Sequence, residues 1–220
     1  MKQTFHPSMN TIAKASIIGL GLLVAALGGA WYYFVQSPFM TNVGVSVEQS
    51  VPFSHLHHVR QLGIDCRYCH TSVDESSFAN VPPTETCMSC HSQVWTEAPM
   101  LEPVRASWQN QTALQWNRVN NLSGFVYFNH SVHVNNGVGC ESCHGRVDNM
   151  PLVAKANTLQ MQWCLQCHRA PQNYLRPNSE ITTMGYQPPE GTDQATLGAQ
   201  LVAEYGIEVG RLDDCSICHR

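Results

Sequence analysis

The chain has 220 residues, a formal net charge of -4 at pH 7 and only 13% charged residues. No basic patch or stripe runs along it, which argues against nucleic acid as a partner. Its length allows one or two domains, and twelve prolines with fifteen glycines make long regular elements scarce.

The first predicted element is an exception. Residues 15–35 are 21 uncharged, mainly apolar residues, which as a helix span about 30 Å, the thickness of the hydrocarbon core of a bilayer. Lys2 and Lys14 precede the run, and Trp31, Tyr32, Tyr33 and Phe34 form an aromatic belt at its far end. The charge asymmetry places the N-terminus in the cytoplasm and the rest of the chain outside. A cleaved signal peptide is the competing reading. The run is long for one, and no small-x-small cleavage site follows it. The expectation is a retained single-pass anchor.

Next comes Phe53-Ser-His55-Leu-His57-His58, followed by Cys66-Arg-Tyr-Cys69-His70 and Cys87-Met-Ser-Cys90-His91. Residues 92–127 hold Trp95, Trp108, Trp116, Pro99 and Pro103 but no cysteine, and read as a connector. The pattern then restarts with Phe128-Asn-His130-Ser-Val-His133, before Cys140-Glu-Ser-Cys143-His144 and Cys164-Leu-Gln-Cys167-His168. A Pro-rich stretch over 176–191 leads to a predicted helix over Ala195–Tyr205, with Asp193 as N-cap and Gly206 as stop. Leu197, Leu201, Val202 and Tyr205 give that helix an apolar face, suited to the core or to a partner. The last motif is Cys215-Ser-Ile-Cys218-His219. Asp74-Glu75 and Asp213-Asp214 read as solvated loops, the second pair also suited to steering a basic protein.

Five Cys-x-x-Cys-His motifs consume all ten cysteines. This is the spacing of c-type haem attachment. Two thiols three apart share one face of a helical turn, and the histidine that follows reaches the iron. Zinc and disulfides are the alternatives, since Cys66-x2-Cys69-x17-Cys87-x2-Cys90 also fits a zinc ribbon. Neither explains the histidines. They are 11 of 220 residues, so finding one after all five pairs has odds of (1/20)^5, about three in ten million, against the haem template. The expected cofactors are five covalently attached haems, bound by Cys66, Cys69, Cys87, Cys90, Cys140, Cys143, Cys164, Cys167, Cys215 and Cys218. The proximal ligands are then His70, His91, His144, His168 and His219.

Four histidines outside the motifs supply distal ligands: His55, His58, His130 and His133. Their i, i+3 spacing lets each pair reach two haems from one turn. His57 is a substitute for either member of the first pair. The fifth iron is left without a histidine, and Met161 or Met150 is its candidate, a ligand that raises the potential; an open iron is the other possibility.

The expected fold is a mainly α and irregular, haem-cored multihaem cytochrome c with little β structure and one N-terminal transmembrane helix. Its parts are a cytoplasmic 1–14, an anchor 15–35, a linker 36–50 and a four-haem region 51–175. That region holds units 51–94 and 125–175 around the connector 95–124. A C-terminal segment, 176–220, carries the fifth haem.

The Phe-x-His-x-x-His blocks resemble class III multihaem cytochromes. The anchor, Gly63-Ile-Asp-Cys-Arg-Tyr-Cys-His-Thr71, Phe125-Val-Tyr-Phe-Asn-His-Ser-Val-His133 and Trp163-Cys-Leu-Gln-Cys-His-Arg169 resemble, more narrowly, the pentahaem subunit (ActA) of alternative complex III. That resemblance implies an electron-transfer subunit, not an enzyme by itself, of a quinol:electron-acceptor oxidoreductase. It implies as partners an iron-sulfur subunit related to molybdopterin oxidoreductases, a polytopic quinol-binding membrane subunit, and a further cytochrome c subunit or soluble acceptor. It implies a place in the bacterial cytoplasmic membrane, haem domain on the periplasmic side. Two other functions compete. A free-standing quinol dehydrogenase of the NapC/NrfH type also has one helix and several haems, and Cys66, 31 residues after Val35, leaves a linker long enough to fold back to the membrane. A multihaem reductase needs an open iron, and here every motif ends in histidine.

Overall fold

The computed structural model describes residues 4–219, which divide into two units, one ending at Val43 and one beginning at Gly44.

The first unit is one long helix and a short one. α1 runs Ser8–Gln36, with Pro7 at its N-cap. It starts seven residues before the expected anchor because Asn10-Thr-Ile-Ala-Lys14 contains no breaker, so the turns simply continue. Its stop is local. Ser37 donates from its backbone N–H and its hydroxyl to the Phe34 carbonyl, and Pro38 opens α2, Pro38–Thr41. α1 is long and apolar enough to cross a membrane.

The second unit is mainly short helices and irregular chain, with no sheet among the described residues; only two isolated bridges occur, Ser46 to Ala154 and Val138 to Leu175. Each cysteine pair lies on a helix: α3 (Cys66–Cys69), α4 (Thr84–His91), α7 (Cys140–His144), α8 (Met161–Arg169) and α10 (Cys215–Cys218). The distal candidates start helical turns as well. A π-helical stretch covers Leu56–Gln61 directly after His55, and α6 covers His130–Asn135. The wider π turn is a departure from the expected α spacing and occurs often at functional sites.

Two small apolar clusters hold the unit. Val51, Leu101 and Val104 gather Cys87, Met88, Leu114 and Trp116, so the connector helix α5 (Glu102–Asn110) packs on α4. Val73, Val134 and Ile181 gather Ala79 and Cys140. The connector therefore has a core function. Residues 44–50 are not a free linker either: Gln49 exchanges hydrogen bonds with Asn117 at 2.8 Å each, and Ser50 donates to the Gln115 carbonyl at 2.7 Å.

The C-terminal segment is woven into the same unit. α9 spans Gln194–Glu204, and the Asp193 carboxylate accepts from Thr196 N–H at 2.9 Å as the expected N-cap. Its apolar face meets the core of this chain. Leu201 is buried, and Tyr205 lies over Gly137. Gly198 sits directly on the backbone of Gln172 in the Pro171–Asn173 turn, where a β-carbon would overlap the carbonyl. Gly198→Ala is therefore expected to cost about 1–3 kcal/mol, read as a lower midpoint in thermal unfolding of the full chain in detergent. Unchanged stability would show that α9 does not dock this way.

Candidate functional site

An imidazole that binds metal through Nε2 must carry its proton on Nδ1, and an acceptor at Nδ1 fixes that tautomer and the ring plane. Seven of the nine candidate histidines meet a backbone carbonyl, which can only accept. Among the proximal ones, His70 Nδ1 donates to the Asn80 carbonyl at 2.7 Å, His91 to Val94 at 3.0 Å, His168 to Leu212 at 2.7 Å and His219 to Phe125 at 3.0 Å. Among the distal ones, His58 donates to Ser54 at 2.9 Å, His130 to Ser77 at 2.9 Å and His133 to Asn129 at 2.7 Å. Asn80 holds its carbonyl in place with a left-handed backbone, φ 71°.

The other two differ. His144 Nδ1 meets the side-chain amide of Asn120 at 3.1 Å; a ligating His144 donates there, so Asn120 then presents its oxygen. His55 Nδ1 is buried without a partner. Burial holds both rings neutral, with the pKa of each lowered to about 4, assisted at His55 by His70 and at His144 by His130. His58 and His133 are also lowered, chiefly by burial. Neutral imidazole is the form that ligates.

The rings also pair. His58 faces His91 with ring centres 6.3 Å apart, and His133 faces His168 at 6.1 Å. Two metal–imidazole bonds of about 2 Å and about 1 Å from each nitrogen to its ring centre add to roughly 6 Å. For the remaining pairs, His70 is the strongest electrostatic neighbour of His55, and His130 that of His144. In each block the second histidine thus faces the second motif that follows, while the first has the histidine of the next motif as its main electrostatic neighbour.

A phenylalanine organises each block in the same way. Phe53 stacks on His58 (4.3 Å, 21°) and stands edge-on to His55 (4.9 Å, 86°). Phe128 stacks on His133 (4.5 Å, 28°) and stands edge-on to His130 (4.7 Å, 88°). Both contacts suit aromatic packing. The repeat of Phe two residues before each histidine was visible in the sequence, but its task was not.

The units interlock. His130 N–H and Nδ1 both reach the Ser77 carbonyl, and Ser131 N–H reaches that of Ser76, so the second block is seated on the loop after the first motif. Cys66 and Cys140 are close neighbours whose thiols influence each other electrostatically, which brings the first and third motifs together. Burial pushes the Cys143 thiol up to about 12 and that of Cys167 to about 11. An apolar cleft lined by Leu122, Val126, Phe128, Trp163 and Tyr174 carries His133, His168, Cys164 and Cys167 on its wall, with Cys218 of the fifth motif. These features fit a flat, apolar, covalently held macrocycle. No group of three metal-binding side chains converges among the described residues.

Some sequence expectations change. His57 turns to Gln61 Oε1 at 2.9 Å and stacks on Trp95. Asp74 is no solvated loop residue but receives two hydrogen bonds from Arg67, at 2.8 and 3.1 Å; Asp213 pairs with Arg169 at 3.2 Å. Met161 is 65% exposed at the start of α8. Met150 lies by Gly145, next to the third motif, and its carbonyl accepts from Leu56.

The comparisons with known proteins point the same way. Residues 126–220 match the family described as cytochrome c7 and related cytochrome c. Over these residues the chain resembles cytochrome c7 and related c-type cytochromes. The chain is also 31% identical over 126 residues to a protein of Nitratidesulfovibrio vulgaris called menaquinone reductase, multiheme cytochrome c subunit. That match covers 57% of this chain and 56% of the relative, so the chain spans about half the length of the curated relative it matches.

The ring angles lead to a spectroscopic expectation. His133 and His168 are near parallel at 28°, whereas His58 and His91 stand at 69°. Were each pair to hold one low-spin ferric haem, the near-parallel rings would give a rhombic and the crossed rings a large-g EPR signal. Phe128→Leu is expected to shift the rhombic signal and leave the large-g one; movement of both would mean that Phe128 acts on the whole fold.

Proposed function

We propose that this chain is a membrane-anchored pentahaem cytochrome c that carries electrons within a quinone-linked oxidoreductase. The observation that supports it most directly is the facing of His58 on His91 and of His133 on His168, with His55 and His130 electrostatically coupled to His70 and His144. Irons closed on both sides favour outer-sphere electron transfer over substrate chemistry. The haems supply one-electron oxidation and reduction when bound. The chain's own residues hold the rings neutral, fix their planes through the Nδ1 acceptors, and bring the motifs together in one unit.

The more specific reading is a subunit of alternative complex III. It passes electrons from an iron-sulfur subunit, fed by a polytopic quinol-binding subunit, to a cytochrome c subunit or soluble acceptor. α1 is then an anchor with its N-terminus inside and the haem unit on the periplasmic side. The fifth iron takes Met161 or Met150. A second reading draws on the relative's name: the same wire run toward menaquinone. A free-standing quinol dehydrogenase of the NapC/NrfH type is the third.

Gentle detergent extraction from native membranes, followed by mass spectrometry of co-purifying proteins, separates these. A large iron-sulfur protein with a polytopic subunit is the expected result. Recovery of this chain alone, or with a soluble periplasmic reductase only, favours the quinol dehydrogenase. Replacing His133 with alanine is expected to leave all five thioether-linked haems in place by intact mass, convert one haem from low to high spin and slow electron flux. Five unchanged low-spin haems would remove His133 from the ligand set.

A further inference from the structure

Among the described residues two charged side chains are buried, Asp148 and Arg176. Asp148 is compensated, with Arg146 donating to both its oxygens at 2.8 and 2.7 Å. The other ion-paired arginines, Arg67, Arg169 and Arg211, are more exposed and each has an acid. Arg176 is 8% exposed, has no side-chain carboxylate in ion-pairing range among the described residues, donates from Nη1 to the Thr183 carbonyl at 2.9 Å and leaves Nε buried without a protein acceptor. Its guanidinium lies over the Tyr186 ring, 5.0 Å from the centre.

The place of this cation is specific. The guanidinium fills the space beside Gly139, the N-cap of α7, where any β-carbon would collide with it. The next residue is Cys140, and Cys66 of the first motif is its neighbour. Arg176 N–H is tied to the Gly137 carbonyl at 2.8 Å, and Cys140 N–H to the Ile181 carbonyl at 3.1 Å, so both ends of the segment are pinned against the third motif. An unpaired buried charge is costly to a fold. Stability alone gives no reason to place one here.

We propose that Arg176 sets the reduction potential of the haem attached at Cys140 and Cys143. Reduction adds one electron and no other group, so a fixed positive charge nearby favours the reduced form. The effect is large where burial weakens solvent screening. Arg67 lies in the same region, but the Asp74 carboxylate cancels it; Arg176 has no such partner. The third haem is thereby raised relative to a neighbour of the same ligation, which gives the chain of centres an uneven potential profile. This inference rests on the haem reading above.

The test compares full-length holoprotein in detergent with Arg176→Met and Arg176→Lys, by intact mass, low-spin absorption and spectroelectrochemical titration. Five haems in the wild type by mass are the precondition, and fewer would overturn the haem reading, not the role of Arg176. With five low-spin haems in all three proteins, one midpoint is expected to fall in Arg176→Met and to stay near wild type in Arg176→Lys. An unchanged titration in Arg176→Met overturns the proposal. Equal shifts in both variants overturn it too, because they mark a packing role. If Arg176→Met fails to mature, Arg176→Gln, which keeps donors for the Thr183 carbonyl, makes the same comparison.

Discussion

The structure depends on one hydrogen bond used repeatedly, from a histidine Nδ1 to an acceptor that cannot donate back. It sets which nitrogen is free, which way the ring faces and which plane it keeps. Three of the acceptors come from distant chain: His168 relies on Leu212, His219 on Phe125, and His130 on Ser77. The loops are therefore not spacers. Each delivers a carbonyl, and a carbonyl spent in a sheet ladder is less free for that task. The shortage of β structure and the abundance of short helices follow from this use of the backbone.

Duplication gives the second level of order. Phe53 and Phe128 hold their histidine pairs in nearly the same geometry. In each block the second histidine faces the second motif that follows, while the first has the histidine of the next motif as its main electrostatic neighbour. Seating His130 on the Ser77 loop joins the two blocks, and the Cys66–Cys140 contact brings the first and third motifs together. In the proposed wire, this places centres from different repeats side by side. Electrons then need not follow the order of the motifs along the chain. The fifth motif is held at the Phe125–Tyr127 strip, with Tyr127 N–H on the Cys218 carbonyl at 2.9 Å.

Where sequence reading and structure part, the cause is long-range. The ion pairs of Asp74 and Asp213, both on turns, were not read from the sequence because their partners, Arg67 and Arg169, are 7 and 44 residues away. His57 was interchangeable with its neighbours on spacing alone; Gln61 and Trp95 draw it aside. Asn120 and Arg176 carried no motif at all. One is an ordinary loop asparagine and the other an arginine before a proline, until folding sets them against His144 and Gly139.

Local chemistry was legible from the start. A helical turn brings i and i+3 together whatever surrounds it, so the five cysteine pairs, the adjoining histidines and the two distal blocks could be read directly. The same holds for the α1 span and for the Asp193 cap of α9. The tertiary structure alone decided which distal ring meets which motif and which carbonyl or amide steadies each imidazole. It also decided that α9 packs on its own chain through Gly198, and that one guanidinium is buried without an acid. Apart from the Ser54, Asn129 and Val94 carbonyls, which lie within four residues of their histidines, these are contacts between residues well separated in sequence, set by how the loops close around the motifs.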